Sequence, residues 1–230
     1  MLFSIFVVAL LLLSFGLIAD EVMEGGTAAF DRRVLLMFRV ADNPATPIGP
    51  AWLIEGARDL TSLGSFVILG VILMLAIVYL VLSGNHTAAW LLLVAVLGGA
   101  AVNSLLKIGF ARPRPEFIAH ALRVFTPSFP SGHASLSAAT YLTLAALLAR
   151  TAVSPGLRIF FIIAGMLLTL AVGISRIYLG VHYPTDVFAG WCIGSAWALI
   201  CWTIMRWMQH NGRTAPTGTN RTSKSEHNGP

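Results

Sequence analysis

The sequence predicts an all-α, integral-membrane bundle of six transmembrane helices with a site at one membrane face. Three observations point there. Of 230 residues, 57% are hydrophobic and only 11% are charged, against about 25% charged in a soluble domain. Mean hydropathy is +0.79. The 57% hydrophobic share of 230 residues is roughly 131 residues, enough for about six spans of about 20 residues each. Such a composition excludes a disordered chain, a collagen and an ordinary cytosolic enzyme. It leaves room for one domain, a membrane-embedded unit over residues 1–210, followed by a basic tail over 211–230.

The first apolar run covers residues 1–19. No Lys or Arg precedes it, and Leu17, Ile18 and Ala19 lack the small-x-small pattern of a cleavage site. It reads as a retained first span rather than a cleaved signal. Residues 20–61 form a polar connector in which Pro44, Pro47 and Pro50 interrupt any long helix. Within it, Phe30, Val34, Met37 and Phe38 fall near one face of a helix. This suits either a short helix lying at the interface or a simple connecting helix. Five further spans are expected near 62–82, 88–106, 132–150, 157–175 and 187–207. After Arg206 the chain turns rich in Gly, Thr, Ser, Asn and basic residues, so the tail is expected to be disordered.

Alternating spans put connectors 20–61, 107–131 and 175–186 on one side of the membrane. That side carries nine Lys/Arg and nine Asp/Glu, while the other carries six Lys/Arg and one Asp/Glu. All the net charge of +5 therefore lies with the tail. By the count of Lys and Arg alone the positive-inside rule does not favour the tail side. Much of the opposing excess sits in clusters assigned below to chemistry, so the tail is placed in the cytoplasm. The charge reads as a topology signal, with no nucleic-acid partner implied. Cys192 and Cys201 share one apolar run and read as packing residues. Gly190-x-x-x-Gly194 suits a dimer face or internal packing, the latter preferred. His86 and His120 read as loop residues, and Arg112 and Arg123 as sources of headgroup attraction.

Three polar clusters at span ends fall on one side. The first runs from Lys107 to Arg112-Pro113-Arg114-Pro115. Proline fixes the backbone, a fixed backbone aims guanidinium forks, and such forks bind phosphate oxygens bidentately. Snorkelling to headgroups is the plainer reading. The second cluster, Pro130-Ser131-Gly132-His133, opens a span. Ser131 is a natural N-cap, and the N–H groups of a helix start cradle anions. Gly132 permits close approach by a ligand, and His133 sits beside it. The third holds Ser175, Arg176, His182 and Asp186. Asp186 lies four residues after His182, within plausible reach of Nδ1–H. That contact fixes the tautomer and leaves Nε2 as a lone-pair nucleophile or base. Together the clusters make an anion clamp with a nucleophile–orienter pair and a second histidine free to act as an acid. No carboxylate cluster suits Mg²⁺. His133, His182 and Asp186 are conceivable transition-metal ligands, but the surrounding cations favour an oxyanion.

These residues resemble the type 2 phosphatidic acid phosphatase superfamily, which also includes vanadium haloperoxidases. Its motifs are Lys, six residues, Arg-Pro; Pro-Ser-Gly-His; and Ser-Arg, five residues, His, three residues, Asp. Here they stand as Lys107…Arg114-Pro115, Pro130-Ser131-Gly132-His133 and Ser175-Arg176…His182…Asp186, every position filled in order. The resemblance implies that His182 attacks phosphorus to form a phosphohistidine, that Asp186 orients it, and that His133 protonates the leaving group. It implies that Lys107, Arg114, Ser131, Gly132 and Arg176 hold the phosphoryl oxygens, with no metal and no cofactor. The expected activity is hydrolysis of a lipid phosphate such as phosphatidic acid, phosphatidylglycerophosphate, undecaprenyl diphosphate or lipid A phosphate. The expected partners are this substrate and membrane lipids; oligomeric state is not legible. The expected setting is a bacterial inner or plasma membrane with the site extracytoplasmic. Two alternatives stand beside it: a non-catalytic anion-binding or transport protein, and a vanadate-dependent haloperoxidase.

Overall fold

The computed structural model describes residues 1–115 and 126–214, with side chains up to residue 209. Residues His120, Arg123 and 215–230, and so most of the expected tail, lie outside the described residues. The elements run α1 (Leu2–Met23), α2 (Ala28–Met37), β1 (Arg39–Val40), β2 (Asn43–Pro47), α3 (Ala51–Ser62), α4 (Phe66–Leu82), α5 (His86–Phe110), α6 (Gly132–Thr151), α7 (Pro155–Tyr178) and α8 (Pro184–Thr214). Five helices are long and apolar enough to span a membrane, and the α3–α4 pair makes a sixth, bent by 48°. The chain is an integral membrane protein of six spans when that pair is taken as one.

Local chemistry sets the helix starts. Ser65, Asn85, Ser131 and Ser154 are N-caps whose side chains accept from a backbone N–H three residues on. Pro155 follows Ser154 at the first helical position, where its missing N–H costs nothing. The turn between α4 and α5 is closed by Gly84 at φ 72°, and the turn after α7 by Gly180 at φ 74°, a region glycine enters without steric penalty.

The central helix is α6, which packs against α5, α7 and α8. Its spanning window is 61% buried, whereas that of α1 is 6% buried. This explains why α6 is the least apolar span: Ala134, Ser135, Ser137, Ala138, Ala139 and Thr140 are all buried against protein rather than lipid. Small side chains let helix backbones approach closely. The partners answer with glycines. A Cβ at Gly194 would lie 2.2 Å from the Ser135 carbonyl oxygen, one at Gly190 2.7 Å from that of Ser131, and one at Gly165 2.9 Å from that of Tyr141. The Gly190-x-x-x-Gly194 pair therefore serves internal α6–α8 packing. Gly173 in turn makes room for the Trp191 indole, whose Nε1 donates to the Thr169 carbonyl at 3.1 Å. Both cysteines are free.

The connector 20–61 departs from the sequence reading. It folds into α2, a two-stranded antiparallel hairpin and α3. The α2 face that points inward carries Asp31 and Leu35, both fully buried, while Phe30 and Met37 are exposed. The inward face thus includes a charge, which apolar periodicity passes over. The last helix, α8, runs to Thr214.

Candidate functional site

All three clusters meet at one end of the bundle. Lys107 closes α5, Ser131 caps α6, Arg176 lies in the last turn of α7, and His182 and Asp186 flank the start of α8. Two backbone features hold these ends together. The Ser131 N–H donates to the Asp186 carbonyl at 2.9 Å, tying the start of α6 to that of α8. An ideal Cβ at Gly132 would lie 3.3 Å from Asn103 Oδ1 and 3.7 Å from Lys107 Cε, so the glycine lets α5 close on the α6 N-terminus. Beneath the Pro127–Ser131 segment, Phe129 is fully buried among Phe15 of α1 and Phe110 of α5, with ring centroids 5.9 and 5.0 Å away.

His182 is 2% exposed and Asp186 fully buried. The His182 Nδ1 stands 3.3 Å from Asp186 Oδ2, which also accepts the Tyr183 N–H at 2.9 Å. The carboxylate thus caps its own helix and reaches the imidazole. The other ring nitrogen, Nε2, stands 3.2 Å from Arg114 Nη1. A guanidinium only donates, so Nε2 is the acceptor and Nδ1 carries the proton donated to Asp186. Burial, reinforced by the charges of Arg176, Arg114 and Lys107 and by His133, holds the His182 ring well below the ordinary imidazole range. It is neutral at pH 7, with its lone pair on the cationic side.

The three motif cations donate to neutral acceptors. Lys107 Nζ donates to the Pro127 carbonyl, and Arg114 to the carbonyls of Val181 at 2.6 Å and Thr126 at 2.9 Å. Arg176, 5% exposed, donates to Thr61 Oγ1 at 3.2 Å, and its Nε has no partner. Arg112 forms ion pairs with Asp31 and Asp186, whereas the neutral His182 donates a hydrogen bond to Asp186. Lys107, Arg114 and Arg176 have no carboxylate within ion-pair distance among the described residues. His133 faces the break between α3 and α4: a Cβ at Gly64 would lie 3.3 Å from its Cβ and Cδ2.

His133, His182 and Asp186 do not assemble as metal ligands; among the described residues no group of three His, Cys, Asp or Glu side chains could hold a metal ion. Sequence reasoning also missed residues at this end. Arg112, by its sequence a source of headgroup attraction, has a side chain only 13% exposed that bridges Asp31 and Asp186, 2.7 Å from each. Thr61 and Thr185 were not singled out. The available signal was scarcity: in a chain with 11% charged residues, a second arginine in a fixed Arg-Pro repeat invites a buried partner.

Comparison with known proteins agrees with this geometry. The PAP2 superfamily model matches residues 88–210. Phosphatidylglycerophosphatase B of Bacillus subtilis is 35% identical over 157 residues, which are 65% of this chain and 74% of that protein. Lipid A 1-phosphatase of Rhizobium etli is 34% identical over 121 residues, 49% of this chain and 47% of that protein. The crystal structure of the transmembrane PAP2-type phosphatidylglycerolphosphate phosphatase from Bacillus subtilis superposes with a TM-score of 0.78 at 25% identity, covering 87% of this chain and 96% of that one. With more than half its length matched by the family model and its fold shared with a solved member, the chain belongs to the PAP2 superfamily.

Proposed function

We propose that this membrane-embedded phosphatase hydrolyses a phosphomonoester or diphosphate of a lipid through a phosphohistidine. The observation that carries the reading is the set of three cations, Lys107, Arg114 and Arg176, without a carboxylate partner among the described residues, acting on a buried neutral histidine. Cations so placed call for an oxyanion, and an arginine fork matches phosphate geometry. The phosphoryl oxygens sit among Lys107, Arg114, Arg176, Ser131 and the Gly132 N–H at the positive end of α6. His182 Nε2 attacks phosphorus, the N–P bond forms and the P–O bond to the lipid breaks. His133 donates the proton that the leaving oxygen takes. Water then attacks phosphorus with His133 accepting its proton; the new P–O bond forms as the N–P bond breaks and its electron pair returns to His182 Nε2, and inorganic phosphate departs. The cations stabilise the charge on the equatorial oxygens throughout.

The substrate's apolar tail stays between the spans while its phosphate meets the site at headgroup level. Phosphatidylglycerophosphate leads the candidates, followed by lipid A phosphate, undecaprenyl diphosphate and phosphatidic acid, since the relatives named above act on the first two classes. We place the site on the extracytoplasmic face and the tail in the cytoplasm: with Lys107, Arg112, Arg114 and Arg176 set aside as site residues, five Lys/Arg remain on the site side against six on the tail side. Detergent-purified protein, assayed with EDTA present against these four lipid phosphates, should release phosphate from at least one. His182→Ala and Arg176→Ala should abolish turnover while still inserting into membranes. Wild-type-like turnover in either variant, or no release from folded protein on any of the four, would overturn the reading.

A further inference from the structure

Arg112 and Asp31 lie outside every family motif matched here, yet they form the most completely satisfied polar group at the site. Arg112 Nη2 donates to Asp31 Oδ2 at 2.7 Å, and Nη1 donates to Asp186 Oδ1 at 2.7 Å and to Thr185 Oγ1 at 2.9 Å. Asp31 is fully buried and accepts from the Thr185 N–H at 3.1 Å and the Thr185 hydroxyl at 2.7 Å. The guanidinium stacks 4.2 Å from the Tyr183 ring centroid. Its backbone is fixed too: the Ser128 N–H donates to the Arg112 carbonyl at 2.8 Å, and Ser128 Oγ to that of Pro113 at 3.0 Å.

This arrangement assigns both oxygens of Asp186. With Oδ1 taken by Arg112, only Oδ2 is presented to His182 Nδ1. Were Arg112 alone, its charge would cancel that of Asp186 and leave nothing to stabilise a positive imidazole. The second carboxylate restores the balance: two carboxylates and one guanidinium carry a net charge of −1 behind His182. Burial pulls the Arg112 guanidinium down, but Asp186 and Asp31 more than offset it and hold it above its ordinary range. The guanidinium therefore stays protonated between its two carboxylate partners. The groups facing it are His182 and Tyr183 from the connector, Thr185 from α8 and, across the imidazole, Lys107 and Arg114.

We infer that Arg112 and Asp31 are positioning residues: they lock the rotamer of Asp186 and supply the net negative charge that His182 needs once it is phosphorylated. The inference rests on His182 being the nucleophile. It also gives α2, a connector helix, a task in the reaction.

The test is a charge-balance cycle on the full-length protein in detergent, using whichever lipid phosphate the wild type hydrolyses. Asp31→Asn makes the trio neutral and should lower kcat about 10- to 100-fold, the range found when a metal-bound histidine loses its outer-shell partner, with KM within about twofold. Arg112→Gln makes it −2 and leaves Asp186 free to rotate, again lowering kcat. The double variant returns the trio to −1 and should recover about tenfold over the worse single variant, a coupling of the size that contacting residues show. A merely structural role predicts losses that add. Arg112→Lys, which keeps the charge but cannot span both carboxylates, covers the case in which a carboxylate variant fails to fold and should reproduce the loss in kcat. The inference is overturned by a double variant no better than the worse single, or by kcat within twofold of wild type in both Asp31→Asn and Arg112→Lys. A wild type inactive on every lipid phosphate would instead count against the family activity on which it rests.

Discussion

Asp186→Asn exchanges one oxygen for an NH₂ and changes almost no volume. In the folded protein the two carboxylate oxygens accept three donors: Arg112 Nη1 at 2.7 Å, His182 Nδ1 at 3.3 Å and Tyr183 N at 2.9 Å. An asparagine has one acceptor to offer. If its NH₂ replaces Oδ1, it meets the Arg112 guanidinium donor to donor. If it replaces Oδ2, it meets the Tyr183 N–H and accepts from nothing, and His182 must move its proton to Nε2. That proton would then point at Arg114 Nη1, 3.2 Å away. Either choice leaves at least one buried donor unpaired, at about 1–3 kcal/mol. The second also removes the lone pair from the attacking nitrogen. A wrong-tautomer substitution of this kind costs about 10⁴ in kcat in the serine-protease triad, or about 5.5 kcal/mol at 1.36 kcal/mol per decade. For Asp186→Asn we expect kcat for phosphate release to fall about 10³- to 10⁴-fold, with circular dichroism unchanged. A kcat within tenfold of wild type, from protein of unchanged helicity, would refute the tautomer argument.

Further outcomes follow from the same geometry. Because the His182 pKa is lowered by burial and by Arg176, Arg114 and Lys107, its reactive neutral form persists as pH falls through the ordinary imidazole value of about 6.5. A ¹⁵N-histidine NMR titration should find it still unprotonated at pH 6; protonation near 6.5 would contradict the assignment. A folded pKa below the unfolded value means that the unfolded chain takes up a proton the folded chain refuses. The contribution of His182 to stability is thus present above about pH 6.5 and declines as pH falls below it. Gly194→Ala puts a methyl 2.2 Å from the Ser135 carbonyl oxygen, a backbone atom with no easy retreat. It should lower stability by about 1–3 kcal/mol, the usual cost of overpacking, read as a lower Tm in detergent. Gly64→Ala places its methyl 2.4 Å from Val172 Cγ1 and 3.3 Å from His133. It should reduce kcat more than Tm, since the displaced wall is that of the proton donor.

The motif residues were legible in the sequence because each cluster is local. Ser131 with Gly132, and His182 with Asp186, are near neighbours in the chain whose relation follows from helix geometry. The spans were legible for the same reason, since apolar length is a property of one segment. What escaped is contact across the chain. Asp31 meets Arg112 and Thr185 from 81 and 154 positions away, and Thr61 meets Arg176 from 115. No periodicity announces such pairs, and an acidic residue in a polar connector reads as solvated until a partner closes over it. The connector hairpin escaped because Asn43–Pro47 contains two prolines and no alternating pattern. Its place is set by tertiary contacts, such as the Tyr178 hydroxyl donating to the Ile48 carbonyl at 2.6 Å.

Lys107, Arg114 and Arg176, without acidic partners among the described residues, have a thermodynamic corollary. Like charges gathered at one end of the bundle repel one another, and a bound anion relieves that repulsion. Any anion that fits adds stability as RT ln(1 + [L]/Kd), about 2.7 kcal/mol at a hundredfold excess over Kd. Inorganic phosphate is both the product and the simplest such anion. Its concentration in a purification buffer therefore sets two opposed quantities at once: how long the protein survives in detergent, and how much of it is open to substrate.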